Sequence, residues 1–248
     1  MSTFDQSPIS FLKQNLKSIL IAIVALAVLI GGFIVIQITL TPADSYKALD
    51  TMVRTANPTT GKLDSPVQLL YLYDYICPAC QSNGENMANL EKDYGDKIKI
   101  TYKHFITHPG PGDRAAQAAQ GVNIVAGPAK FFEFSNALIK VTPNYPAGVP
   151  QSNLEELVKG VGVDVAKFRV AQNSLEAEKN VKIDQKDIKG ATLPISKYPA
   201  KDNPTGTKPG STPTLVILKD GKYTDSWWSG VLPVETVKQR IDEVIIAK

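Results

Sequence analysis

The longest apolar run of the chain lies close to its N-terminus. Residues 19–40 read ILIAIVALAVLIGGFIVIQITL and contain no charged side chain. A helix of this length rises roughly 30 Å, which matches the hydrocarbon core of a bilayer. Lys13 and Lys17 precede the run, and Asp44 follows it. The pattern predicts one transmembrane helix over residues 19–40, with residues 1–18 in the cytoplasm and the remainder of the chain outside it.

A cleaved signal peptide is the alternative interpretation of this run. The apolar part of a signal peptide is shorter, about 7–15 residues, and a cleavage site made of small residues follows it. The sequence Thr39-Leu40-Thr41 at the end of the run is a poor site of that kind. We therefore expect an uncleaved anchor, which makes the chain a single-pass protein of the cell membrane with an extracytoplasmic main domain.

The pattern changes twice after the anchor. Residues 41–63 are polar and include the turn signal Asn57-Pro58, so they predict a linker with some local structure. The folded domain is expected over residues 64–248. Its first element, residues 67–73 (VQLLYLY), is an almost uninterrupted apolar run, which is typical of a central strand covered on both faces.

The remaining elements follow from the spacing of apolar positions. A helical stretch ends near Tyr94, and the alternating residues 97–105 (KIKITYKHF) predict the next strand, so the domain opens with a right-handed βαβ unit. Residues 113–189 show mainly helical patterns and predict an inserted helical layer. Two strands around the turn Asp220-Gly221 and a terminal helix complete an α/β domain of order βαβ, helical insertion, ββα.

Composition excludes two classes of function. The net charge is +3, and no long basic run interleaved with aromatic residues appears, so nucleic acid is not an expected partner. The chain has only two cysteines, three positions apart, whereas a secreted domain held together by disulfides carries more of them at wider spacing. Cysteine therefore does not serve bulk stability here.

The two cysteines form the motif Cys77-Pro78-Ala79-Cys80 directly after the first predicted strand, at the start of the predicted helix. Proline is favoured just inside a helix start. The helix N-terminus presents unpaired N–H groups and a positive dipole end to the first sulfur, which stabilises its thiolate. Thiolate is the attacking species in disulfide exchange. We assign Cys77 as the nucleophile and Cys80 as the residue that resolves the mixed disulfide.

Two other interpretations of the cysteine pair remain. A structural disulfide across three residues would close almost no loop and add little stability. A zinc site would need four ligands, and only His104 and His108 could complete one. The spacing does not match a zinc finger, and the proline between the cysteines favours redox chemistry, so we expect no metal and no cofactor beyond a redox-active Cys77–Cys80 disulfide. Both histidines are expected to be surface residues.

Four segments, taken in order, resemble the DsbA-like family of thiol–disulfide oxidoreductases, in particular its membrane-anchored BdbD type. They are GKLDSPVQLLYLYDYICPAC (61–80), HPGPGDRAAQAAQ (108–120), STPTLVILKDGK (211–222) and GVLPVETVKQRIDEVI (230–245). The resemblance spans about residues 60–248 and implies a thioredoxin-like fold. It also implies a cis bond between Thr212 and Pro213 that faces the cysteines and presents the Thr212 backbone to a substrate strand.

The resemblance further implies partners. These are exported, unfolded or cysteine-containing proteins as substrates and a membrane oxidase similar to DsbB or to vitamin K epoxide reductase for recycling. The alternative is a disulfide reductase or isomerase, or a dedicated maturation factor for one exported protein.

The chain departs from the family at positions that tune the cysteines. Tyr71 stands where many members carry a glutamate, and Ala79 stands where the strongest oxidants carry a histidine. Asp74 is the nearest carboxylate in sequence and is expected at the surface. Tyr71 and Asp74 are therefore candidate modulators, and we expect a milder oxidant than the strongest members.

Overall fold

The computed structural model describes residues 52–198 and 207–247. The predicted anchor at 19–40 and the first part of the predicted linker lie outside these residues. Within the described ranges, no helix is both long enough and apolar enough to cross a membrane. The strands are β1 (Thr59–Gly61), β2 (Val67–Tyr73), β3 (Lys99–His104), β4 (Thr214–Lys219) and β5 (Lys222–Ser229). The α-helices are α1 (Pro78–Tyr94), α2 (Pro111–Val141), α3 (Gln151–Gly160), α4 (Val165–Gln172), α5 (Leu175–Gly190) and α6 (Val234–Ile246).

The five strands form one mixed sheet in the order β1-β3-β2-β4-β5. Strand β2 lies at the centre, parallel to β3 and antiparallel to β4, and all seven of its residues are buried. This burial on both faces explains its nearly continuous apolar sequence. Alternate residues of β2 point to opposite faces, so Tyr71 and Tyr73 belong to the larger core and Leu70 and Leu72 to the smaller one.

The helices between β3 and β4 run from Pro111 to Gly190, against the predicted bounds of about 113–189. Helix α2 bends at Gly127, whose φ of 78° is left-handed, and Pro128 follows it inside the helix. Proline removes one helical hydrogen bond and clashes with the preceding turn, which accounts for the bend.

The domain begins earlier than residue 64, so the prediction of a linker up to residue 63 is wrong. Met52 is 2 % exposed and packs in the smaller core, and β1 pairs antiparallel with β3. Arg54 forms an ion pair with Asp187 of α5. Because β1 is only three residues long and these contacts are mainly polar, hydrophobic periodicity carries no signal for them.

A buried ionic cluster joins this N-terminal segment to β3 and α5. The Lys103 ammonium is fully buried and lies 3.1 Å from Asp184 and 2.8 Å from Asp187. Burial alone would raise the pKa of Asp184, but Lys103 and the hydrogen bonds around it hold that pKa below its ordinary value. The His104 ring is also fully buried, against Asp184 and Tyr73, so the expectation of a surface histidine is wrong at this position.

Candidate functional site

The cysteines lie where the central strand passes into α1. Cys77 is the N-cap residue, with φ −66° and ψ 121°, and Pro78 is the first helical residue. No side chain caps this helix end, so the first N–H groups of α1 are left for the Cys77 sulfur. Cys80 lies one turn further and is fully buried, whereas Cys77 is 8 % exposed. The helix start therefore presents one sulfur at the rim and hides the other beneath it.

The surroundings move the pKa values of the two thiols in opposite directions. The hydrogen bond from Cys80 contributes most to lowering the pKa of Cys77 to about 5, with further help from the Thr212 hydroxyl and from the backbone N–H groups of Cys80 and Ala79. Burial opposes this effect. For Cys80, burial raises the pKa far above its ordinary value, and the neighbouring Cys77 raises it further. Cys77 is thus a thiolate at neutral pH while Cys80 keeps its proton.

The segment before β4 closes one side of the site. Because Leu72 of β2 pairs with Thr214 of β4, residues just before β4 lie beside residues just after β2. The Thr212–Pro213 bond is cis, as the resemblance implied, and the Cys77 sulfur lies 3.4 Å from the Thr212 carbonyl oxygen. The structure therefore brings Cys77, Cys80, Thr212 and Pro213 together.

Tyr71 lies under the cysteines. Its ring is 2 % exposed and stacks on Tyr73 with 5.1 Å between the ring centroids. Burial, and then the nearby Cys80, raise the pKa of the Tyr71 hydroxyl well above its ordinary value, so the phenol stays neutral. Among the described residues this hydroxyl has no hydrogen-bond partner. Tyr71 can therefore shape the environment of Cys80 but supplies no charge at neutral pH.

Asp74 is fully buried, and the expectation of a surface carboxylate is wrong. Its Oδ1 accepts from the Ile76 amide at 3.0 Å, and its Oδ2 accepts from the amides of Thr107 and His108 at 2.9 and 2.8 Å. The Thr107 hydroxyl and the His108 ring also lie within 3.1 Å of Oδ2. Because all of these donors except the Ile76 amide come from a loop more than thirty residues away, local sequence could not show that the carboxylate would be buried and satisfied.

Asp74 also touches the cysteine pair through its main chain. The Asp74 amide lies 3.5 Å from the Cys80 sulfur, and its carbonyl accepts from the Cys77 amide at 3.2 Å. One residue thus joins the loop that carries the cysteines to the loop between β3 and α2.

Sequence reasoning missed Thr107. Its hydroxyl lies 3.1 Å from the Thr212 hydroxyl, so it connects the Asp74 carboxylate to the residue beside Cys77. A single threonine after a strand gives no local signal, and only the convergence of three loops at this edge of the sheet reveals it.

The two histidines have separate roles and do not gather around the cysteines as zinc ligands. His104 is held in the core, while His108 is 42 % exposed and bound to Asp74. In the described part of the chain, no three His, Cys, Asp or Glu side chains are grouped so that they could hold a metal ion.

Comparisons with known proteins agree with this geometry. The family model described as Thioredoxin matches residues 54–229. Disulfide bond formation protein D of Bacillus subtilis is 31% identical over 90 residues, which is 35% of this chain and 40% of that protein. The matched segment therefore spans less than half of that relative's length.

Two solved structures share the fold. The crystal structure of oxidised BdbD from Bacillus subtilis has a TM-score of 0.62 and 19% identity, and the match covers 77% of this chain and 94% of that one. The thiol-disulfide exchange protein alpha-DsbA2 from Wolbachia pipientis has a TM-score of 0.59 and 20% identity, over 77% and 88% of the two chains. The chain belongs to the thioredoxin family.

Proposed function

We propose that the chain oxidises cysteine pairs of exported proteins to disulfides through Cys77 and Cys80. The observation that carries this proposal is the opposite behaviour of the two thiols. The pKa of Cys77 is lowered to about 5, and burial raises that of Cys80. One sulfur is therefore a stable leaving group and nucleophile, and the other is a hidden partner that holds its proton.

The exchange proceeds in two displacements. A thiolate of the substrate attacks Cys77 of the oxidised pair, the Cys77–Cys80 bond breaks, and Cys80 leaves with the electron pair and takes up a proton. A second substrate thiolate then attacks the substrate sulfur of the mixed disulfide, and Cys77 leaves as a thiolate. The substrate loses two electrons and gains a disulfide, and the enzyme pair gains those two electrons.

The stabilised Cys77 thiolate favours the oxidising direction. Stabilising the reduced form makes the corresponding disulfide a stronger oxidant. Ala79 adds no charge beside the thiolate, and the neutral Tyr71 hydroxyl adds none beneath it. We therefore expect a potential above that of thioredoxin, about −270 mV, and below that of the strongest oxidants, about −120 mV.

The reduction potential of the full-length chain tests the direction. The protein is equilibrated in glutathione buffers of known ratio, alkylated, and analysed by mass for the Cys77–Cys80 pair. A value clearly above about −270 mV supports the oxidase. A value at or below it moves the function to reduction or isomerisation, and a pair that never cycles removes the redox function altogether.

We also propose that residues 19–40 anchor the protein in the cell membrane with the described domain outside the cytoplasm. The uncharged 19–40 segment and the lysines before it support this topology. A membrane oxidase of the DsbB or vitamin K epoxide reductase type would return the electrons to the membrane. Protease added to intact spheroplasts should digest the domain, whereas a protected domain or a mature chain without residues 1–40 would contradict the topology.

A further inference from the structure

Three side chains connect a buried charge to the attacking sulfur. The Asp74 carboxylate oxygen Oδ2 lies 3.1 Å from the Thr107 hydroxyl, and the Thr107 hydroxyl lies 3.1 Å from the Thr212 hydroxyl. The Thr212 carbonyl oxygen lies 3.4 Å from the Cys77 sulfur, and a hydrogen bond from the Thr212 side chain helps to lower the pKa of Cys77. Asp74 is fully buried and Thr212 is 7 % exposed, whereas Thr107 between them lies at the surface.

The hydrogen bonds from Asp74 through Thr107 and Thr212 to Cys77 can run in either of two directions. Each threonine hydroxyl has one hydrogen to donate and two lone pairs to accept with, and the hydrogen rotates to suit its partners. In one arrangement Thr212 donates to Thr107, and Thr107 donates to Asp74. In the other arrangement Thr107 donates to Thr212, and the Thr212 hydrogen is then free to point at the Cys77 sulfur.

The buried carboxylate tolerates both arrangements. Its Oδ2 keeps the amides of Thr107 and His108 and the ring of His108 as donors when the Thr107 hydroxyl turns away. A buried carboxylate with fewer donors would hold that hydroxyl in place, because an unsatisfied buried acceptor is costly. The backbone donors therefore leave the hydroxyl chain free to reverse.

We propose that Thr107 is a positioning residue that turns the Thr212 hydroxyl toward the Cys77 sulfur when Cys77 is a thiolate. When Cys77 is a thiol, its sulfur donates to the Thr212 carbonyl and the hydroxyls point toward Asp74. The two states of the sulfur thus have two matching states of the hydroxyl chain. This inference rests on the proposed function of Cys77. It adds Thr107, whose hydrogen bonds go to Asp74, His108 and Thr212 rather than to either sulfur.

Two other titratable side chains face Cys77, and neither depends on Thr107. Cys80 supplies the largest stabilisation of the thiolate, and Tyr71 lies beneath the pair as a neutral phenol. Behind Thr107 stand Asp74 and His108. A change confined to the Thr107 hydroxyl therefore affects the Thr212 hydroxyl, and it leaves the hydrogen bond from Cys80 to the Cys77 thiolate in place.

The test replaces the hydroxyl by a methyl group in the reduced full-length chain. Thr107→Val should reduce the ratio of Cys77 thiolate to thiol at a fixed pH by about three- to tenfold, as expected for loss of one hydrogen bond. The measurement is a pH titration of thiolate absorbance near 240 nm. Thr107→Ser, which keeps the hydroxyl, should titrate like the wild type. Thr142→Val removes a buried hydroxyl bond to Ile139 in the helical layer and should leave the titration unchanged.

A double variant separates positioning from general damage. If Thr107 acts through Thr212, Thr107→Val should have no further effect on the titration in a Thr212→Val background, whereas independent effects would add. Additive effects, an unchanged titration of Thr107→Val, or an equal change in Thr142→Val would each overturn the inference. These outcomes leave the proposed function standing, because it fails only if wild-type Cys77 and Cys80 do not exchange.

Discussion

Two buried acidic clusters of this domain are satisfied in different ways. Around Lys103, the carboxylates of Asp184 and Asp187 are balanced by the ammonium of Lys103 and the guanidinium of Arg54. The carboxylate of Asp74 instead accepts from three backbone amides, one hydroxyl and one imidazole ring. Ion pairs hold the first cluster together, whereas the Asp74 carboxylate is held mainly by backbone amides and lies beside the cysteine site.

The largest expected effect comes from removing the cation of the first cluster. Lys103→Met leaves the buried Asp184 carboxylate without its cation, while Asp187 keeps its pair with Arg54, and should lower the free energy of unfolding by about 3–5 kcal/mol. Urea unfolding measures this, with Lys130→Met as the matched control, because Lys130 pairs with Glu133 in an exposed position and should cost less than about 1 kcal/mol. The Cys77 titration should not move. A loss equal to that of the control would remove the structural role of the cluster.

A smaller loss of stability is expected at the second cluster, together with a change in reactivity. Asp74→Asn replaces one acceptor oxygen by a donor that faces other donors, and it should cost about 1–3 kcal/mol. Unlike Lys103→Met, it should also lower the pKa of Cys77, because a negative charge near the thiolate is removed and the Thr107 hydroxyl, no longer drawn to a carboxylate, is free to donate to Thr212. Asp184→Asn serves as the control carboxylate. If Cys77 titrates equally in the Asp74→Asn and Asp184→Asn variants, the Asp74 carboxylate has no particular influence on the cysteine site.

The two regions should also respond to pH in different windows. The folded-state pKa values of Asp184 and Asp187 are lowered, so their contribution to stability is present above about pH 4 and is lost below it. The pKa of Cys77 is lowered to about 5, so the stability that its thiolate adds to the reduced domain is complete above about pH 8.5 and is lost as the pH falls through 5. Unfolding of reduced wild type and Cys77→Ser between pH 3 and 8 should show their difference growing from pH 5 upward. A constant difference would contradict the lowered pKa.

The smallest effect is expected at Tyr71, which belongs to neither cluster. Tyr71→Phe removes a buried hydroxyl that has no hydrogen-bond partner within the described chain, so the free energy of unfolding should stay within about 1 kcal/mol or rise slightly. The reduction potential should change little, because the phenol is neutral. A large drop in potential would show that Tyr71 takes part in proton transfer to Cys80.

The contrast between the clusters also explains what the sequence could predict. The central strand, the helix start and the cysteine motif follow from local patterns, since apolar periodicity and a helix N-terminus act over a few residues. The burial of Asp74 and His104 does not, because most partners of Asp74 come from a distant loop and His104 contacts Asp184 of α5 and Tyr73 of β2. The segment around Met52 and β1 was missed for a related reason, since its polar contacts to α5 leave no apolar period.

Trapping of mixed disulfides tests the central claim most directly. Cys80→Ala and Cys77→Ala variants are expressed in cells, quenched with acid, alkylated, and separated without reductant. We predict that Cys80→Ala accumulates substrate-linked species that reductant releases, because Cys77 still attacks and nothing resolves the product, while Cys77→Ala accumulates none. Equal trapping by both variants, or trapping only by Cys77→Ala, would contradict the division of roles between the two sulfurs.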